Sequence, residues 1–291
     1  MSESPGGVIH DIGYRHYSGT RESSGRIALS LYLTGLRHVF GLGRSTRSKI
    51  LPAIMAALTL GPVVIIVGVM SVTGSTSLPL SYLSFTDQVQ WLMSIFVASQ
   101  APVLFSRDLR HRSIVLYLAR PLSPAAFALT RWASLATACL LFIAVPQLVL
   151  YGGALLAGAD VSEQTGLLLR GVPAILLLSA FLAGLTGLIS SVALRRGMAV
   201  VASILLLVFG TLVVVTIQLI AYEEDIARVG ELAGLFSPWT LTLGIGEAMG
   251  ADNEVMAPLT ASGAGAYGVV GLILTGLCCW LLVLRFRKAG R

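Results

Sequence analysis

A chain of 291 residues with 55% apolar side chains, 12% charged ones and a mean hydropathy of +0.84 lies far outside the range of water-soluble domains, in which about a quarter of residues are charged. Its net charge of +6 and pI near 9.5 would point to nucleic acid if the positive groups formed a patch on a folded domain. They lie instead beside apolar blocks, the pattern of topology signals and anionic headgroups, so membrane lipids are expected as partners and nucleic acid is not.

The first 49 residues are mostly polar, so a cleaved signal peptide, whose apolar core sits near the start, is not expected. In this tail Leu29, Tyr32, Leu33, Leu36 and Phe40 recur at helical spacing on one face, while Arg26, Ser30, Thr34 and Arg37 share another. A short helix lying in the membrane interface is expected, the alternative being a basic linker with chance periodicity. Gly41 and Gly43 end it, and Arg44, Arg47 and Lys49 anchor the first apolar stretch at the headgroups.

Uncharged stretches fit to cross a bilayer occupy 50–72, 88–105, 132–157, 171–194, 197–221 and 259–284, the second being the shortest. An all-α integral membrane fold of six spans is predicted, because a charge at the bilayer centre costs about 3 kcal/mol and none of these stretches holds one. Of the 20 Lys and Arg residues, all but Arg170 and Arg228 fall in the tails, the 106–131 loop or the Arg195-Arg196 turn. Acids such as Glu223, Glu224, Asp225 and Asp252 gather in the opposite loops. Both ends are therefore expected in the cytoplasm.

The 106–131 loop is longer than a tight helix connection needs. Ser106 is placed to cap a helix with Asp108 in its first turn, running through Ile114, Leu116 and Tyr117 to a break at Arg120-Pro121. Ser123 and Pro124 then start another, which leads through Arg131 into the third span. Arg107, Arg110, His111, Arg112 and Arg120 make this segment basic, and a solvated loop serving topology alone is the other reading.

In the long 222–258 segment an acidic start gives way to Leu235, Phe236, Pro238, Trp239, Leu241, Leu243 and Ile245, with Gly246 after them. This apolar piece is too short to span, so a re-entrant or interfacial helix is expected with Trp239 at the headgroups, against an exposed surface helix.

Inside the spans the notable polar residues are Gln100, Gln147 and Gln218, which either line a translocation path or hydrogen-bond between packed helices. Ala180, Gly184 and Gly187, and likewise Ala264 and Gly268, predict close helix packing. Cys139, Cys278 and Cys279 lack metal-ligand spacing and read as small buried apolar residues.

No span offers a carboxylate for ion coupling, and His10, His16, His38 and His111 all lie on the predicted cytoplasmic side, away from any intramembrane serine. No phosphate-binding loop of the G-x-x-x-x-G-K-[ST] kind is present. The chain is thus expected to hold no catalytic residue, metal or cofactor of its own.

Together, the interfacial helix, the six spans and the long two-helix loop resemble the permease subunits of the type-2 ABC exporters. Leu118-Ala119-Arg120-Pro121-Leu122-Ser123 looks like that family's recurring cytoplasmic loop motif. Tyr14-Arg15-His16-Tyr17-Ser18-Gly19-Thr20-Arg21 and Phe40-Gly41-Leu42-Gly43-Arg44-Ser45 resemble an actinobacterial-type branch. The resemblance implies a coupling helix from Arg107 to Ala119 ending at Arg120-Pro121, with Asp108 as its acid. It also implies an ATPase-coupling interface of Arg107, Asp108, Arg110, His111, Arg112, Tyr117, Arg120 and Pro121, a re-entrant outer segment from Leu235 to Gly246, and a place in the plasma membrane. The implied partners are an ABC ATPase subunit, which would hold ATP and Mg, and a second permease chain, identical or related. A non-transporting membrane scaffold or sensor is the alternative function. A lipid-modifying membrane enzyme would need an acidic or histidine site that is not found.

Overall fold

The computed structural model describes residues 22–106, 109, 122–193, 195–251 and 261–289. Every regular element among them is helical. The elements are α1 (Ser24–Val39), α2 (Arg47–Thr73), α3 (Tyr82–Gln88), α4 (Gln90–Leu104), α5 (Pro124–Leu156), α6 (Val161–Val192), α7 (Arg196–Glu223, with a π turn at Leu205–Phe209), α8 (Ala227–Gly234), α9 (Pro238–Ala248) and α10 (Ala261–Ala289).

Local chemistry fixes many of the ends. Ser23, Ser81, Ser123, Asp160 and Ser237 each accept a backbone N–H in the first turn of the helix they cap. Pro124 and Pro238 open α5 and α9, where a missing N–H costs nothing. After α1 the chain turns at Gly41, whose φ is +72° and whose Cβ, if it had one, would lie 2.5 Å from the carbonyl oxygen of Ser48. Only glycine meets both conditions.

Five helices, α2, α5, α6, α7 and the Gly265–Ala289 part of α10, are long and apolar enough to cross a membrane. About half of the apolar window of α5 (50%) and α6 (56%) is buried against protein, but only 22% of that of α2, α7 and α10. The α5–α6 pair, joined by the short 157–160 turn, is therefore the centre, and the others expose residues such as Ile65, Val69, Leu212 and Leu272. Around the pair, Phe142 stacks on Phe96 of α4 at 4.7 Å, and Phe127 meets Phe286 of α10 at 5.6 Å.

The expected second span differs from the others. Its residues 88–105 fall mainly on α4, which follows α3 after Val89 and is about 22 Å long at 1.5 Å per residue, short of a hydrocarbon core of about 30 Å, so it is not among the five. Elsewhere the helices overrun the apolar stretches: α5 begins at Pro124, α6 at Val161, and α10 runs to Ala289. Hydropathy marks only the part suited to lipid, whereas backbone hydrogen bonding continues until a cap stops it.

The amphipathic α1 carries three faces instead of two. Leu31, Gly35 and Val39 are buried against the bundle, while Leu29 and Leu33 of the expected apolar stripe are 56% and 43% exposed. Tyr32 donates its hydroxyl to Thr137 of α5 at 3.0 Å, and Ser134 of α5 donates to the Tyr32 carbonyl at 3.0 Å. Docking thus uses a face next to the leucine stripe, made possible by Gly35, which a Cβ would bring within 2.6 Å of Ser134 Oγ.

Close packing at Gly184 and Gly187 is as expected, since these face Cys278 and Phe105. Gly268 is not part of such a contact, because nothing lies within 4 Å of where its Cβ would be. Cys139 and Cys278 are buried and all three cysteines are free thiols.

Candidate functional site

The bundle has two chemically distinct ends. At one, α1, the start of α5 and the ends of α6 and α10 come together, with Arg285 Nε donating to the Ser191 carbonyl at 3.3 Å. At the other lie the 74–81 loop, the 157–160 turn and Ala251, with Arg170 donating to the Gly250 carbonyl at 3.0 Å. Among the described residues Arg26, Arg37, Arg131, Arg195, Arg196, Arg285, Arg287 and Lys288 mark the first end as basic. Asp160 and Glu163 make the second acidic.

At the basic end a cavity of about 470 Å³ lies between α1 and α5, lined by Arg26, Leu31, Thr34, His38, Leu122 and Arg131. Arg131 is buried, with its guanidinium carbon 5.4 Å from the ring centre of Phe127. An aromatic face attracts a guanidinium through its negative π surface. Arg26, by contrast, is exposed and pairs with Glu22 at 3.1 Å.

At the acidic end a polar network ties α3 to the central pair. Gln147 of α5 donates through Nε2 to the Tyr82 carbonyl at 2.8 Å and to Thr86 Oγ1 at 3.0 Å. Tyr82 donates its hydroxyl to Gln164 Oε1 of α6 at 2.9 Å, and Tyr151 meets Thr165 at 2.8 Å. Above Tyr82 and Gln164 opens a cavity of about 500 Å³ with Ser81, Leu167, Asp160 and Glu163 around it. The cavity falls in the size class of small-molecule sites, about 300–1,000 Å³.

The three glutamines singled out in the sequence are not brought together. Gln147 belongs to the network just described; Gln100 donates to Ser99 Oγ at 3.1 Å; Gln218 donates to the Gly230 carbonyl of α8 at 3.3 Å. No hydrogen bond joins them among the described residues, and two of the three serve packing between elements. Arg107, Asp108, Arg110, His111, Arg112, Tyr117, Arg120 and Pro121 lie outside the described residues.

Pro238 and Trp239 sit in α9, which is buried from Pro238 to Gly246 between α6 and α10. Trp239 is 2% exposed and belongs to the main core, so its ring rests against protein. The helix is too short to cross, yet its apolar residues face protein on all sides. Gly244 admits the ring of Tyr267, and Tyr267 in turn donates to the Glu231 carbonyl of α8 at 2.8 Å. Thr211 of α7 and Ser237 hold the start of α9 through a 2.9 Å hydroxyl pair. Trp239 Nε1, Ser190 Oγ and Ser203 Oγ are buried with no hydrogen-bond partner among the described residues.

Tyr82, Gln164 and Gly35 carry no distinguishing signal in the sequence. Tyr82 and Gln164 fall between apolar stretches, where polar residues are ordinary, and only the capping serine Ser81 marks a helix start there. No group of three or more His, Cys, Asp or Glu among the described residues could hold a metal ion. No family model matches the sequence, and no curated protein is significantly similar to it.

Proposed function

We propose that this chain is the membrane-spanning permease subunit of an ATP-driven exporter of the type-2 ABC kind, placed in the plasma membrane with both ends in the cytoplasm. In this reading α3 and α4 together form the second of six crossings, an even number that returns the C-terminus to the side of α1. The basic end faces the cytoplasm, following the bias of Lys and Arg that governs insertion. α8 and α9 then make the outer re-entrant segment.

The observation that carries the reading is how the basic loop enters the bundle. It passes through Leu122 and the Ser123 cap straight into α5, the helix on which α1 is docked and which packs most extensively against α6. A push on the loop is therefore delivered to the central pair instead of the lipid-facing rim. A separate ATPase subunit, which supplies ATP and Mg, would apply that push at Arg107 to Pro121, and a second permease chain would complete the path. Trp239, Ser190 and Ser203, whose buried polar atoms have no partner among the described residues, support a protein that repacks, since a buried polar atom left unbonded costs about 1–3 kcal/mol that another helix arrangement can recover.

Purification of the tagged chain from its native host in mild detergent tests this. A stoichiometric nucleotide-hydrolysing subunit is expected in the eluate. A chain that arrives alone and without ATPase activity overturns the proposal and favours a membrane scaffold.

A further inference from the structure

The floor of the cavity at the acidic end has a hydrogen-bond donor that the fold does not use. Gln164 is only 6% exposed, and its Oε1 is taken by the Tyr82 hydroxyl at 2.9 Å. Its Nε2 donates to no protein group among the described residues, and Gln164 is part of the cavity lining. An amide held so firmly by one atom and open at the other is oriented to meet an acceptor.

The rim adds charge. Asp160 and Glu163 border the cavity, and among the described residues no Lys, Arg or His does. Asp160 spends Oδ1 on the Glu163 backbone N–H at 2.8 Å, which leaves its second oxygen and the whole Glu163 carboxylate available. The start of α6 contributes a partial positive charge of about half a unit, which offsets only part of two carboxylates. Nearby Arg170 is turned to the Gly250 carbonyl. Leu78, Leu83 and Leu167 supply an apolar wall.

We infer that this cavity binds a small amphiphile bearing a protonated amine close to a carbonyl oxygen, the chemistry of the amino end of an apolar peptide. The ammonium group sits between Asp160 and Glu163, the first carbonyl accepts from Gln164 Nε2, and the side chains lie along the leucines. The site needs no ATPase, so its failure would leave the exporter reading standing, and failure of the exporter reading would leave the site intact.

The full chain in detergent, titrated calorimetrically with trileucine amide and with its N-acetylated form, decides the matter. The free amine should bind, and acetylation should weaken it about tenfold or more, the worth of one charge-assisted contact. The double variant Asp160→Asn with Glu163→Gln keeps a capping side chain at α6 and should show a similar loss at unchanged melting temperature. Gln164→Leu should weaken binding while leaving the preference for the free amine. Equal binding of the acetylated peptide, no binding of either, or full affinity in the well-folded double variant would overturn the inference.

Discussion

Single residues at the helix contacts decide whether this bundle closes. Gly35 has Ser134 Oγ 2.6 Å from where a side chain would begin, whereas Gly25, ten positions earlier on the same helix, has nothing within 4 Å. Gly35→Val should therefore lower stability by about 1–3 kcal/mol through overpacking, while Gly25→Ala should leave it unchanged or raise it slightly. Thermal denaturation of the two variants in one detergent separates them. Tyr82→Phe removes only the bond to Gln164 and should cost about 1 kcal/mol. Of these positions the sequence marked only polar exceptions in apolar runs. Gln147 stood out for that reason, but its partners Tyr82 and Thr86 did not, because a hydrogen bond between helices is a property of pairs that a single chain position does not display.

Elements were legible where one physical cause dominated. Long apolar runs became α2, α5, α6, α7 and α10, and the Ser123-Pro124 signal became the cap and first turn of α5. The stripe on α1 was legible as a helix but not as a docking surface. Leu29 and Leu33 repeat as strongly as Leu31, Gly35 and Val39, and periodicity does not reveal which of two adjacent faces a neighbour will cover. For α9 the same holds, since an apolar piece of that length suits an interface as well as a core, and its burial, Trp239 included, was not readable from the sequence. Its cap is a sharp test. Ser237 accepts the Trp239 N–H and pairs with Thr211, so Ser237→Ala should cost about 0.5–2 kcal/mol and loosen α9 from α7. Faster hydrogen exchange confined to the amides of α9 would show this; unchanged exchange there would mean that packing alone holds the helix.

For the whole molecule, the separation of a basic from an acidic end is the feature with the most consequences. Reporter fusions at Ser75 and after Gly158 should read as external, and a fusion at the C-terminus as cytoplasmic; a C-terminal reporter outside the cell would mean that α3 and α4 do not cross. Replacing Arg110, His111 and Arg112 together with Ala should reduce recovery of the proposed ATPase subunit while membrane insertion stays normal, and loss of insertion would instead assign those charges to topology. The docking of α1 carries a further consequence, in time as well as in space. Its hydrogen bond from Tyr32 to Thr137 spans 105 residues, so the receptor for α1 is synthesised long after α1 itself. At ribosomal speeds the delay is on the order of ten seconds. During it the nascent segment lacks its main support, and Leu29 and Leu33, which the finished bundle leaves uncovered, are expected to moor it to the bilayer surface until α5 arrives.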